Sequence, residues 1–436
     1  MPLLKKIGLL LGDIAILYVS LVFTLIFRYG SADFASRLPT HIFPFSIIFL
    51  VWILIFYITD LYRHKTLRNT SSLFSSIIGA VFAATIVSTI IFYLFGDFFK
   101  LTPKTTLLIF STVFLALDYC WRLLALKFLI SNRLEIVVLG NSLLIEQTIK
   151  YLEYNPQVGY RVIYWLKNFN DTDINKVVEA VRAGKIQIVV TQPHLSNDLT
   201  TQLVRKILPL EVGFINFLDF YEIIFEKVPL EELSEEWFIT NITTRRPFYD
   251  RTKRLIDFIL AIALFVALLP FMILVGILIK LTSTGSVIFK QQRTGKNGNS
   301  FTLYKFRIMV AHHNMSPWTV KNDPRLTRIG KILNFTHLNE LPQLVNVLKG
   351  ELSFTGPRPE SVELSKKYDK LPYYEMRHIV KPGVTGWAQI NFRPSASLEE
   401  AHEKFRYDMY YIKNRSLFID LLIMLKTIRH IFIPSK

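Results

Sequence analysis

The chain has 436 residues, room for two or three domains. With 51% hydrophobic and only 19% charged residues it is neither disordered nor an ordinary soluble protein. A lone cysteine, Cys120, excludes an internal disulfide framework and sits in an apolar run without metal-ligand neighbours. The formal net charge of +17 is uneven: residues 1–130 carry 11 Lys/Arg against 5 Asp/Glu, residues 131–240 carry 10 against 15, and residues 241–436 carry 30 against 14. Cations interleaved with apolar and aromatic runs suit an anionic membrane surface or phosphorylated substrates, and no nucleic-acid partner is expected.

In chain order, residues 7–27, 42–59, 77–95 and 105–130 are apolar runs near the length that crosses a bilayer, so residues 1–130 read as four transmembrane helices. Seven cations (Lys5, Lys6, Arg63, Lys65, Arg68, Lys127, Arg133) against four (Arg28, Arg37, Lys100, Lys104) place both ends of this region in the cytoplasm. Asp13, Asp118 and Arg122 lie in or beside the spans. Asp118 and Arg122, four apart on one helix, are expected to neutralise each other, with Asp13 near Lys5 or the headgroups.

Residues 131–240 change to β-rich runs alternating with amphipathic helices: EIVVLG, a helix to about Glu153, RVIYWL, a helix near residues 173–183, and KIQIVVTQ. This is the pattern of a parallel sheet with crossover helices. The turn after the first strand, GNSLLI, lacks the glycines of a dinucleotide fingerprint, so a cofactor-free Rossmann-like regulatory or assembly domain is expected. Such an insert is a candidate homodimer contact. The Glu-rich residues 228–237 read as its exit linker.

Residues 241–436 form the third region. Its apolar stretch at 258–279 is long enough to span, yet Arg245, Arg246, Arg251, Lys253 and Arg254 precede it and Lys280, Lys290, Arg293 and Lys296 follow. Pro270 removes a backbone donor near its middle. A re-entrant or embedded helical hairpin over 255–281, broken at Pro270, is expected; the competing reading is a plain transmembrane helix.

Residues 287–292 and 300–309 flank the turn 295–299 and predict a β-hairpin. Strand alternation puts Lys305 and Arg307 on one face, either as a diphosphate grip or as a solvated edge. Pro342 and Gly350 bound a helix starting near Asn339 or Glu340, where a helix N-terminus favours phosphate and where Asn339 can equally serve as a cap. Gly356-Pro357-Arg358-Pro359 sets an arginine on a stiff loop, ready for bidentate phosphate contact. The C-terminal apolar stretch, with Lys426, Arg429 and His430 set into it, lies against headgroups or packs as an ordinary helix.

From about Tyr249 onward the chain resembles the bacterial sugar transferase family, the polyprenyl-phosphate phosphoglycosyl transferases. The resemblance rests on KRLIDFILA, GSVIFKQQRTG, YKFRIM, DPRLTRIGK, NELPQLVNVLKGELSFTGPRPE, KPGVTGWAQI and the Asp408-Met409-Tyr410-Tyr411 run. The four spans and Rossmann-like insert look like the long form. The implied architecture is a membrane protein, α plus α/β, with an α+β catalytic domain and a re-entrant membrane helix.

The resemblance implies transfer of a sugar 1-phosphate from a nucleoside diphosphate sugar, a UDP-sugar, to polyprenyl (undecaprenyl) phosphate. The implied setting is the cytosolic face of the bacterial inner membrane, with Mg²⁺, at the start of exopolysaccharide, capsule or O-antigen (lipopolysaccharide) synthesis. It assigns catalytic positions to Asn339, Glu340 and Asp408, phosphate binding to Lys305, Arg307, Arg358 and Arg393, and metal binding to Glu340.

The family's nucleophile is Asp, and here that position is Asn339. A neutral amide is a poor nucleophile and a weaker Mg²⁺ ligand. Asn334 and Ile308 also depart, from Arg and from a small hydroxyl residue. Three readings follow: an active transferase relying on Glu340, on direct attack by the lipid phosphate, or carrying an inactivating substitution; a catalytically impaired membrane scaffold in glycan assembly; and a nucleotide-sugar dehydratase, which the missing glycines disfavour.

Overall fold

The computed structural model describes residues 3–63, 66–68, 70–99, 104–168, 170–193, 198–309, 325–392 and 397–432. The chain divides into two compact units, Met1–Phe225 and Glu226–Lys436.

In the first unit, α1 (Leu3–Ile58), α2 (Thr70–Leu94), the short α3 (Gly96–Phe99) and α4 (Lys104–Ser131) form a bundle. Gly30, at φ 84 and ψ 164, breaks α1 into the first two expected spans. The expected third and fourth spans fall in α2 and α4, and α1, α2, α4 and the later helix Pro247–Thr282 are each long and apolar enough to cross a bilayer, as in a membrane protein. An aromatic ladder joins α1 to α4: Phe45 and Trp52 sit 5.4 and 5.1 Å from Phe110, and Phe56 sits 5.5 Å from Phe114, centroid to centroid. Ala80 and Ala84 let α2 approach closely, and Trp52 Nε1 donates to Ser88 Oγ at 2.9 Å. Leu50, Phe82, Leu108 and Leu124 face outward, as a lipid-facing surface requires.

Arg122 is fully buried and bridges helices. It donates to Asp118 at 2.9 Å, to Asp13 at 2.6 Å and to the Leu61 carbonyl at 3.1 Å. Asp118 therefore pairs as expected, but Asp13 does not meet Lys5, whose amine reaches the carbonyls of Leu129 and Asn132. Periodicity within one helix finds the first pairing; the second joins positions 109 residues apart.

The sheet holds β1 (Leu134–Leu139), β2 (Tyr160–Leu166), β3 (Ile188–Thr191) and β4 (Gly213–Asn216), all parallel, in the order β2-β1-β3-β4. Of its helices, α5 (Leu143–Tyr154) and α8 (Phe217–Phe225) cover one face, while α6 (Asp171–Arg182) and α7 (Asp198–Ile207) cover the other. This is a doubly wound layer with its switch point between β1 and β3. The crevice there is filled: Gln192 Oε1 accepts from Asn141 N at 2.9 Å, and a Cβ on Gly140 would lie 2.5 Å from that oxygen.

The second unit begins earlier than its apolar helix. Residues 228–237 are no loose linker: Val228 N donates to the Arg406 carbonyl at 3.0 Å, Arg406 Nε returns a bond to Val228 O at 3.1 Å, and Trp237 is buried. The acidic residues are spent on pairs such as Glu231 with Arg406, which composition alone cannot distinguish from a solvated run.

After α9 (Glu235–Asn241), α10 (Pro247–Thr282) carries the fifth apolar stretch. It is helical throughout, with Pro270 inside, so the expected break at Pro270 and the hairpin it would make are not found. Its dihedrals stay helical on both sides of the missing donor, as in other apolar helices that tolerate proline. Both ends nevertheless pack on the same body. Ala261 meets Phe301, Leu303 and Val347, while Val275 and Ile279 meet Phe306 and Leu333. The rest of the helix surface, including Ile262, Val266, Ile273 and Ile277, is exposed and apolar.

The body comprises the antiparallel hairpin β5 (Ile288–Thr294) and β6 (Ser300–Phe306), then α11 (Arg328–Phe335), α12 (Gln343–Lys349) and β7 (Ser353–Thr355). It continues with α13 (Val362–Tyr368), β8 (Gly383–Thr385) parallel to β7, α14 (Trp387–Asn391), α15 (Leu398–Asn414) and α16 (Leu417–Phe432). In the C-terminal stretch Leu422 and Ile423 are buried, as the packed-helix reading expects, while Phe418, Leu421 and Ile428 are exposed.

Two polar clusters hold this body. Asp420 accepts from Thr355 Oγ1 at 2.7 Å, from Tyr249 and Tyr411 hydroxyls at 2.8 Å each, and pairs with Lys253 at 3.0 Å, tying α10, β7, α15 and α16 together. In the other, Arg377 binds Asp408 at 2.8 Å and lies 3.7 Å from Glu360, which also pairs with Lys404 at 2.5 Å. Burial alone would raise Glu360, but Lys404 and then Arg377 outweigh it and hold its carboxyl at about 2.

Arg122→Leu leaves two buried carboxylates uncompensated and is expected to cost about 3–5 kcal/mol, largely recovered by adding Asp13→Asn and Asp118→Asn. Thermal melts of the detergent-purified chain check this; an unchanged single variant refutes the trio as a stabiliser. Because the folded Glu360 value lies below its ordinary 4.5, its contribution is present above pH 4.5 and is lost as pH falls through about 2. The loss is about 3 kcal/mol, and Glu360→Gln should flatten this acid slope in melts recorded between pH 5 and pH 2.

Candidate functional site

The site is assembled where β6, the turn into α12 and the loop after β7 meet. Asn346, fully buried on α12, donates to the Thr302 carbonyl at 2.7 Å and accepts from Tyr304 N at 3.1 Å, which locks α12 against the edge of β6. Between α11 and α12 the chain reverses through His337, at φ 57, into a 3₁₀ turn at Leu338–Glu340. The expected helical start is thus a tight turn, and only the end of α12, capped by left-handed Gly350, falls as predicted.

Asn339 does not cap α12: its Oδ1 is buried and has no hydrogen-bond partner. A buried polar atom left unpaired is costly, which marks this oxygen as a ligand contact in waiting. Beside it, Glu340 Oε1 accepts from Lys305 Nζ at 2.8 Å and from Arg358 Nη2 at 3.1 Å. Burial opposes the charged carboxylate, but Arg358 and then Lys305 outweigh it and hold Glu340 well below the usual carboxylate range. Lys305 is itself pushed down, by burial first and then by the charge of Arg358.

Arg358 is aimed by its loop. Gly356 lies so close to residues 381–383 that a Cβ would fall 2.5 Å from the Lys381 carbonyl oxygen, and its N–H donates to Thr385 O at 2.9 Å. Arg377 Nη2 donates to the Arg358 carbonyl at 2.7 Å, while its Nε binds Asp408. Asp408, expected as a catalytic group, is paired with Arg377, the residue that holds the Arg358 carbonyl.

Arg307 also lies elsewhere. Strand β6 ends at Phe306, so the alternation that put Arg307 beside Lys305 stops one residue short. Its guanidinium instead donates to the Ser283 carbonyl at 2.9 Å and the Thr284 carbonyl at 2.5 Å, closing the turn after α10. Arg393, expected to bind phosphate, lies outside the described residues.

One cation escaped the sequence reading. Arg293 on β5 donates to the Pro359 carbonyl at 3.1 Å, and burial followed by the neighbouring charge of Arg358 pushes it down. Its only signal was its place in the GSVIFKQQRTG block. Lys305 and Arg358 bind the Glu340 carboxylate directly, and Arg293 lies within the field of Glu360 and Glu340, so three cations face two carboxylates, an excess of positive charge suited to a diphosphate.

The Bacterial sugar transferase family profile matches residues 248–434. The chain is 31% identical over 342 residues to the UDP-N-acetylgalactosamine-undecaprenyl-phosphate N-acetylgalactosaminephosphotransferase of Aeromonas hydrophila, covering 77% of this chain and 75% of that one. It is 31% identical over 321 residues to the UDP-glucose:undecaprenyl-phosphate glucose-1-phosphate transferase of Xanthomonas campestris pv. campestris, 67% of this chain and 65% of that one. The exopolysaccharide production protein PSS of Rhizobium leguminosarum bv. phaseoli is 40% identical over 185 residues, 40% of this chain and 92% of its own. The two longer alignments exceed the 187 residues of the matched domain, so the likeness is not confined to it. At 31% identity over three quarters of both chains, and with the family profile lying on the domain that bears the cationic cluster, the chain belongs to the bacterial sugar transferase family.

Proposed function

We propose that the chain transfers a sugar 1-phosphate from a UDP-sugar to undecaprenyl phosphate at the cytosolic face of the bacterial inner membrane, beginning exopolysaccharide, capsule or lipopolysaccharide O-antigen synthesis. The observation that carries this reading is the cluster of Lys305, Arg358 and Glu340 one residue from the unpartnered Asn339 oxygen. Relatives named for UDP-sugar:undecaprenyl-phosphate transfer support the substrate classes. The packing of both ends of α10 on one body supports an embedded, non-crossing helix, because that body cannot lie on two sides of a bilayer at once.

In the transfer, an acceptor phosphate oxygen bonds to the β-phosphorus of the donor while the bond from that phosphorus to the bridging oxygen breaks. The electron pair leaves with UMP. Lys305 and Arg358 neutralise the phosphate oxygens that gather charge. Glu340, with two cations on one oxygen, is weakly basic, which favours direct attack by the lipid phosphate over a covalent Glu340 intermediate.

Asn339 Oδ1 and Glu340 are hard oxygen donors of the type Mg²⁺ takes, and these two residues would hold it. Bound there, Mg²⁺ supplies charge neutralisation on the diphosphate. The neutral side chain of Asn339 favours one second reading, a catalytically impaired scaffold that binds substrates or partners in glycan assembly.

Purified chain in detergent, given labelled UDP-sugar, undecaprenyl phosphate and Mg²⁺, is expected to release UMP, with Asn339→Asp faster by tenfold or more. Silence of this chain beside an active Asn339→Asp establishes the scaffold reading instead. Glu340→Gln should lower the rate at least 100-fold, and an unaffected rate removes Glu340 from the site.

A further inference from the structure

A second group of cations lies at the far end of α12, about 10 Å along the helix from Glu340's turn. A Cβ on Gly350 would stand 3.2 Å from Arg254 Cζ and 3.4 Å from Lys381 Nζ, so the two cations crowd one point. Arg254 is fixed by donating to the carbonyls of Val347 at 2.6 Å and Leu348 at 2.7 Å. Lys381, half-buried, and Lys296 on the hairpin turn make no hydrogen bond or ion pair among the described residues. Burial first, then the charges of Arg254 and Lys296, push the Lys381 ammonium down, as expected where cations gather short of an anion.

These groups line a cavity of about 80 Å³ together with Lys253 and Arg415. Several water molecules' worth of space is available, since one water needs ~15 Å³. Lys253 is already committed to Asp420, and Arg415 donates to the carbonyls of Thr243 and Thr244. Two carboxylates also line it, and each has a backbone partner: Asp250 accepts from Arg246 N and Asp257 from Phe354 N. A neutral N–H leaves each carboxylate charged, so Asp250 and Asp257 offset part of the field at Lys381. The five cations of the lining still outnumber them, and Lys296 and Lys381 are the two that make no hydrogen bond or ion pair among the described residues. From Lys381 and Arg254 a groove continues over Leu255 and Phe258, 58% and 42% exposed, onto the apolar surface of α10. A cationic cavity opening directly onto an uncovered apolar helix is complementary to an amphiphile with an anionic head.

We propose that this cavity binds the phosphate head of a membrane lipid through Lys296 and Lys381, with the lipid's apolar chain along Leu255 and Phe258. The inference rests on the membrane-embedded reading of α10 but not on turnover. Polyprenyl phosphate and phospholipid headgroups share the required chemistry. Native mass spectrometry of the full chain in neutral detergent separates them, titrating undecaprenyl phosphate, phosphatidylglycerol and inorganic phosphate in turn.

Both or either lipid should bind, and Lys296→Gln combined with Lys381→Gln should weaken binding tenfold or more, with Lys381→Arg retaining it. Loss confined to undecaprenyl phosphate identifies an acceptor-holding site, and equal loss for both lipids identifies a general headgroup site. Undiminished binding by the double glutamine variant, with an unchanged melting temperature, overturns the proposal. So does inorganic phosphate binding as tightly as either lipid, because the apolar groove then contributes nothing. Since binding is read without catalysis, an inactive chain leaves this result interpretable.

Discussion

One carboxylate oxygen shared by an ammonium and a guanidinium organises the second unit. Glu340 draws Lys305 from β6 and Arg358 from the loop after β7 to the same turn, and in doing so gathers charge that a diphosphate can use. Everything near it serves to hold that turn and loop still. Asn346 clamps α12 to β6, Gly356 permits the loop to lie on residues 381–383, and Arg377 pins the Arg358 carbonyl from a position braced by Asp408 and Glu360. A cluster whose members come from separated parts of the chain depends on such bracing, because small displacements of a binding group are expensive.

Most of the architecture was legible because it is written in local period. The four apolar spans, the alternation of strand and helix, the hairpin turn at Gly295–Asn299 and the Gly350 stop each follow from neighbouring residues. Candidate site residues were legible where local structure singled them out, as with Lys305 by strand alternation, Glu340 before the Pro342–Gly350 helix and Arg358 between two prolines. Long-range pairing left no trace in the sequence. Asp408 was assigned a catalytic position by the family resemblance, and its partner Arg377, 31 residues away, could not be read from the sequence; Arg307 was placed beside Lys305 because the end of β6 cannot be read from alternation alone. Proline at position 270 was likewise overread, since an apolar helix tolerates a missing donor that composition marks as a stop.

The substitution at 339 separates fold from chemistry. An amide and a carboxylate are nearly the same size, so the tight turn accepts either, but only one bears charge. The unpaired Oδ1 keeps the geometry of a ligand contact while surrendering nucleophilic strength.

The buried trio in the bundle imposes an order on biosynthesis. The first helix leaves the ribosome bearing Asp13, and the guanidinium that compensates it is 109 residues behind. Until the last helix of the bundle arrives, the nascent chain holds an acidic group without its counter-charge in or beside the bilayer. The polar contacts that close the bundle are thereby completed only when its final helix is in place.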